Sequence, residues 1–184
     1  MKKSLIILDR DGVINYDSDD YIKSPDEWAA IPGSLEAIAQ LNRAGFYVLI
    51  VTNQSGIARG YYDLETLDHI HEKLTNELAA VGGHIEEIYF CPHHPSDHCQ
   101  CRKPAPGMLH KIRDQYETDF KDVFFVGDSI TDVQVALNVG CKPILVLTGK
   151  GERTIAKNPE LSNHVPTFAD LAAAVHFILQ KGTL

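Results

Sequence analysis

The chain has 184 residues, 44% of them hydrophobic, and a formal net charge of −8. That length suits one good core better than two full-sized ones, so residues 1–184 are expected to form a single domain. The acidic balance argues against a nucleic-acid partner, because affinity for phosphate backbones comes from spread-out Lys and Arg, while a few local cations can still serve a small anion.

No stretch approaches the roughly 20 apolar residues that a membrane-spanning helix needs. The opening "MKKSLIILDRDG" loses its apolar run at Asp9, too soon for a secretory signal. The expected setting is therefore cytoplasmic, with no membrane partner and a monomer as the default. Thiols stay reduced there, and clustered cysteines point to a metal or to catalysis.

In chain order, apolar β-branched runs alternate with helical patterns. Strands are expected at 4–8, 46–51, 84–90, 123–127 and 143–147. Helices are expected at 34–45, with Ser34 as its cap, and at 64–83, 106–116, 131–140 and 168–181. Residues 149–166, polar and carrying two prolines, read as a loop. The alternation predicts an α/β architecture, a doubly wound parallel sheet of about five strands. Ligands of such sheets bind beyond the carboxyl ends of the strands.

The first strand ends in "LDRDGV". Asp9 and Asp11 can share one small volume, where their repulsion asks for a cation or a proton, and Gly12 lets the chain turn away. The bland alternative is an ordinary turn. The second strand ends in "VTNQSG", offering the Thr52 hydroxyl and the Asn53 backbone N–H to an anionic oxygen. The fourth ends in "GDSITD". Parallel strands one and four could bring Asp128 to Asp9 and Asp11, making an oxygen-only site for a hard cation such as Mg²⁺. Asp128 or Ser129 could equally cap the next helix. Asp132 is open between metal binding through water, holding a loop, and favouring a helix's first turn. Lys103, or Arg102, in "CRKP" supplies a cation expected at a helix start.

The stretch "CPHHPSDHCQC" (91–101) holds three of the four cysteines. Cys91, His93, Cys99 and Cys101 form a Cys₃His set suited to tetrahedral Zn²⁺ with no open position, hence structural. His94 and His98 are spare candidates for the histidine place. Cys141 stands apart and reads as a small buried side chain.

Taken together, "DRDGV", "VTNQS", "RKP" and "GDSITD" resemble the four motifs of the haloacid dehalogenase-like phosphatases, over residues 5–148. The resemblance implies a Rossmann-like core, here without a large cap domain but with a zinc-clamped loop. It implies Asp9 as nucleophile, Asp11 as acid and base, and Thr52 and Lys103 as stabilisers of the transferring oxygens. Mg²⁺ would be held by Asp9, the backbone carbonyl of Asp11, and Asp128. Within the family, "TNQSGIARG" and "CRKPAPGM" look like the branch of sugar bisphosphate phosphatases that act on a heptose bisphosphate for lipopolysaccharide or glycoprotein assembly. Substrate contacts are then implied for Asp17, Ser18, Asp19, Asp20, Asn53, Gln54, Ser55, Arg102 and Lys103, with Arg102 facing the second phosphate or a hydroxyl. Histidinol-phosphate phosphatases are the runner-up. A polynucleotide 3′-phosphatase would need a basic groove. A non-enzymatic zinc-stabilised binding module would leave Asp9, Asp11, Lys103 and Asp128 without a purpose.

Overall fold

A computed structural model describes residues 4–181. Its strands are β1 (Ser4–Leu8), β2 (Phe46–Asn53), β3 (Glu87–Cys91), β4 (Phe124–Gly127), β5 (Lys142–Val146) and β6 (Thr167–Phe168). They form one parallel sheet in the order β3-β2-β1-β4-β5-β6. The helices are α1 (Ser34–Arg43), α2 (Leu64–Ala80), α3 (Gly107–Tyr116), α4 (Ile130–Val139), α5 (Gly151–Lys157) and α6 (Leu171–Lys181).

Successive residues of a strand point to opposite faces, and here both faces are covered. Leu5 and Ile7 of β1 pack with Met108, Leu109 and Ile112 of α3 and with Val135 and Ala136 of α4. Ile6 and Leu8 join the opposite cluster, with Ile38 of α1, Leu74 of α2 and Val175 of α6. This two-sided burial is why the central strands read as unbroken apolar runs instead of alternating ones.

The sheet's register positions the chemistry. Strand order reverses between β1 and β4, and the crevice at such a reversal is where ligands bind in open parallel sheets. Leu8 pairs with both Ile50 and Val126. One residue on, Asp9 extends the ladder by donating its backbone N–H to Val126 O at 2.9 Å. Thr52, the last residue but one of β2, lies just beyond on one side, and Asp128 follows β4 on the other.

Four expectations need correction. The sheet has six strands, since β6 is only two residues long and leaves no run to detect. Residues 149–166 are not a plain loop: they contain α5 and a 3-10 turn over Pro159–Asn163. A seven-residue helix is too short to display a periodic face. Ser34 is the first residue of α1 and not its cap. The cap position is Gly33, at φ 82°, while the Ser34 hydroxyl donates to Ile14 O at 2.6 Å. Finally, Lys103 does not start a helix, because α3 begins at Gly107 and residues 102–105 form a turn closed by Ala105 N donating to Arg102 O.

The segment between β1 and α1 is fixed to α2. Lys73 Nζ donates to Pro25 O and Trp28 O, both at 2.9 Å, and Trp28 is buried in the core.

Candidate active site

Carboxylate oxygens of Asp9, Asp128 and Asp132 lie within 4.8 Å of one another, all three residues buried. Burial pushes the Asp9 carboxyl well above its usual range, Asp132, Asp128 and Asp11 add to the rise, and Lys103 opposes it. Burial also raises Asp128, helped by Asp132, to about 7. So concentrated a set of buried acids asks for a cation, and the all-oxygen donor set suits Mg²⁺. Asp128 is cradled closely: a Cβ on Gly12 or on Gly149 would overlap its Oδ2, and both glycines have positive φ, 81° and 58°. Only glycine meets both demands. Lys150 N donates to the same Oδ2 at 2.7 Å.

Asp132 has a defined place. It closes a capping box with Ser129 at the start of α4 and accepts from Lys103 Nζ at 2.7 Å. Lys103 is buried, and its ammonium also meets Val51 O at 2.8 Å and Asp9 Oδ1 at 3.1 Å. Three donors thus face three acceptors. Burial alone would pull this ammonium down, but Asp132 and Asp9 outweigh it and hold the pKa above its ordinary value. The Asn53 amide holds the Lys103 backbone from both sides, accepting from its N–H at 3.0 Å and donating to its carbonyl at 3.2 Å. Asn53 therefore sets the lysine loop.

Asp11 stands in a separate network. Arg10, wholly buried, donates from Nε and Nη2 to Asp11 Oδ1 at 3.0 and 2.8 Å. Asn15 Nδ2 donates to Oδ1 and Gln54 Nε2 to Oδ2, both at 2.9 Å. Burial would raise this carboxyl, but the Arg10 charge and these hydrogen bonds hold it below its usual value. On the far side of Arg10, Nη1 meets His71 Nε2 at 3.1 Å. A guanidinium only donates, so His71 accepts and stays neutral, carrying its proton on Nδ1. Burial, with Arg10 beside it, lowers the imidazole to about 3.

The cysteine loop closes as the spacing predicts. Cys91, His93, Cys99 and Cys101 present ligand atoms within 4.8 Å of one another. The contacts from Cys91 Sγ to Cys99 Sγ and from His93 Nδ1 to Cys101 Sγ are 3.6 and 3.2 Å. A tetrahedron with Zn–S bonds near 2.3 Å has edges of about 3.8 Å, so the set fits a zinc ion after slight expansion. The spare histidines are otherwise engaged. His94 caps the 3-10 turn Pro95–Asp97, and His98 ends it in a left-handed conformation. Cys141 is buried against the α3–α4 side of the sheet.

A cavity of about 350 Å³ opens over the carboxylates. Most of the expected contacts line it: Asp17, Ser18, Asp19, Asn53, Gln54, Ser55, Arg102 and Lys103. Asp20 does not, being exposed with its backbone N–H on Ser18 Oγ. Asp17 and Asp19 are paired with Lys150 and Arg153, at 3.2 and 3.1 Å. Buried Arg102 Nη1 has no hydrogen-bond partner among the described residues. Lys150, Arg10 and Asn15 escaped the sequence reading. A lone lysine in a polar stretch carries no signal of its own, although Arg10 and Asn15 flank a motif that does.

Comparison with known proteins adds an independent line. A HAD-hydrolase-like family model matches residues 100–174. A D-glycero-beta-D-manno-heptose-1,7-bisphosphate 7-phosphatase from Pseudomonas aeruginosa is 54% identical over 180 residues, 98% of this chain and 100% of the relative. Its counterpart from Pseudomonas putida is 55% identical over 169 residues, 92% of this chain and 95% of its own length. The crystal structure of D,D-heptose 1,7-bisphosphate phosphatase from B. bronchiseptica, complexed with magnesium and phosphate, superposes with a TM-score of 0.93 at 50% identity. That match covers 97% of this chain and 99% of the other.

Proposed function

This chain belongs to the haloacid dehalogenase-like hydrolases, in the branch of the heptose 1,7-bisphosphate 7-phosphatases, and from that premise we propose how its residues carry the reaction. It is a Mg²⁺-dependent phosphatase that removes the 7-phosphate of D-glycero-D-manno-heptose 1,7-bisphosphate. The observation that carries the reading is the meeting of Asp9 and Asp128 beside the Lys103 ammonium, under a cavity with spare cations at its wall.

Asp9, Asp128 and the Asp11 carbonyl would hold Mg²⁺, which would supply positive charge against the repulsion between phosphoryl oxygens and carboxylates. Asp9 attacks phosphorus, and the bond from phosphorus to the sugar oxygen breaks with its electron pair on that oxygen. Asp11, ionised in the free site, takes up a proton as the anionic phosphate approaches and passes it to that oxygen. A water then loses a proton to Asp11 as its oxygen attacks the aspartyl-phosphate, returning Asp9 as a carboxylate and releasing inorganic phosphate. Lys103, with its three donors engaged, aims Asp9 and lowers the cost of bringing two anions together. Thr52 Oγ1 accepts from Gln54 Nε2 at 2.9 Å, which leaves its own hydrogen for a phosphoryl oxygen.

The phosphate that stays on carbon 1 meets Arg102 and Lys150. Arg102 Nη1 is unsatisfied, and the Lys150 ammonium has Asp17 as a partner at 3.2 Å, with donors to spare. Zinc held by the cysteine loop would fix Arg102 and Lys103, which follow the last ligand, Cys101, directly. Asp17, Ser18, Asp19 and Ser55 face the sugar hydroxyls. The relatives' names favour the β anomer. Among the described residues no helix is long and apolar enough to cross a membrane. We take the chain as one domain, monomeric, working in the cytoplasm on nucleotide-activated heptose assembly and without nucleic-acid or membrane partners.

Phosphate release with Mg²⁺ tests this on the β- and α-heptose 1,7-bisphosphates, heptose 7-phosphate, histidinol phosphate and a 3′-phosphorylated oligonucleotide. The β-bisphosphate is expected to give the highest kcat/KM. Heptose 7-phosphate, lacking the anchored group, should show a KM about tenfold higher. A preference for histidinol phosphate contradicts the substrate assignment and leaves the chemistry standing.

A further inference from the structure

The stretch "TNQSGIARGYY" (52–62) does more than close the cavity. Gln54 has two donors and a carbonyl oxygen on its amide; both donors are committed and the oxygen is engaged. Nε2 donates to Asp11 Oδ2 and to Thr52 Oγ1, each at 2.9 Å, while Oε1 accepts from Tyr62 Oη at 2.5 Å. No N–H is left for a sugar, and the residue is 3% exposed. The two ends of an amide have nearly the same shape, so only polarity decides which way it points. Here polarity decides from outside the substrate cavity. Tyr62 does not line that cavity, yet its hydroxyl fixes Oε1 and thereby turns the NH₂ end onto Asp11 and Thr52.

The backbone is shaped to permit this. Tyr62 is 8% exposed, and its ring lies so near Gly56 that a Cβ there would overlap Tyr62 Cε1. Glycine at 56 is thus what lets the phenol reach the amide. Burial raises the phenol to about 12, so it remains a donor at any working pH. A flipped amide would set Oε1 against the Asp11 carboxylate, an acceptor against an acceptor.

We infer that Gln54 and Tyr62 are positioning residues: the chain Tyr62–Gln54 aims the Asp11 carboxyl and the Thr52 hydroxyl, and Gln54 does not bind the substrate. The inference rests on the reading that Asp11 handles the proton. It differs from the family resemblance, which places Gln54 among the substrate contacts.

Steady-state kinetics of Gln54→Met, Tyr62→Phe and the double variant on the heptose bisphosphate, with thermal melts alongside, decide the matter. Tyr62→Phe deletes one oxygen and keeps the ring, so it reports even where Gln54→Met folds poorly. Gln54→Met is expected to lower kcat about tenfold or more, and Tyr62→Phe about threefold, with KM held within about twofold. The double variant should be no worse than Gln54→Met alone, because the phenol acts through the amide. A raised KM with kcat intact in Gln54→Met overturns the inference, and so does an additive double variant or a Tyr62→Phe enzyme with wild-type kcat. Asp11→Asn serves as the separate arm. Full activity in Asp11→Asn removes the proton-handling reading itself, whereas its loss beside a normal Tyr62→Phe removes only the relay.

Discussion

Arg10 is wholly buried yet charged, and its neighbours show how that is sustained. Its fork meets Asp11 on one side and the neutral His71 ring on the other, so every described contact is to an acceptor. The arrangement has a consequence for acid stability. His71 in the folded protein has a pKa near 3, below the ordinary value of 6.5. Between those limits the unfolded chain takes up a proton that the folded one refuses, so stability is full above about 6.5 and falls as pH drops toward 3, each unit being worth about 1.4 kcal/mol. His71→Gln keeps an acceptor for Arg10 and removes the titration. Its melting temperature is expected to trail the wild type at pH 7 and to close the gap as pH falls to 4. A gap that stays constant over that range contradicts the assignment of a neutral, accepting His71.

At the scale of elements, the unusual device is the turn that carries Arg102 and Lys103. It has little apolar surface and is held from two sides, by Cys99 and Cys101 in the Cys₃His cluster and by the Asn53 amide at the end of β2. Zinc held by this cluster would do the work that a packed core does elsewhere. Cys99→Ser is expected to release zinc, to lower the melting temperature by more than about 5 °C, and to raise KM through a loosened Arg102. Phosphoryl transfer to Asp9 should persist, since no zinc ligand touches the nucleophile. Wild-type metal content, stability and KM in that variant would falsify the structural role of the cluster.

Across the whole molecule, the parts legible in the sequence are those that repeat a simple physical rule. Apolar runs gave the five longer strands, β1, β2, β4 and β5 largely buried on both faces and the edge strand β3 only partly so. Polar residues just after those runs gave Asp9, Thr52 and Asp128. Spacing gave the Cys₃His set because four soft ligands in eleven residues have few other uses. What stayed hidden depends on tertiary approach. Lys150 matters because the segment before α5 folds back onto Asp128, and no local pattern announces that contact. Gly149 and Gly12 look like ordinary turn glycines until Asp128 is seen lodged between them. The Asp132 role was open between three readings, and the structure gives it two at once, the first turn of α4 through the capping box and the holding of the lysine loop. Only the meeting of α4 with Lys103 reveals the second.

The central claim is that the Asp9 carboxylate takes the phosphoryl group before water does. Rapid-quench mass spectrometry of the Mg²⁺-loaded enzyme with heptose 1,7-bisphosphate tests it most directly, with Asp9→Asn run in parallel. The account predicts a transient phosphoryl group on the peptide containing Asp9, and neither that species nor phosphate release in Asp9→Asn. Turnover that proceeds with no phosphorylated peptide at any quench time, together with an active Asp9→Asn enzyme, would contradict it.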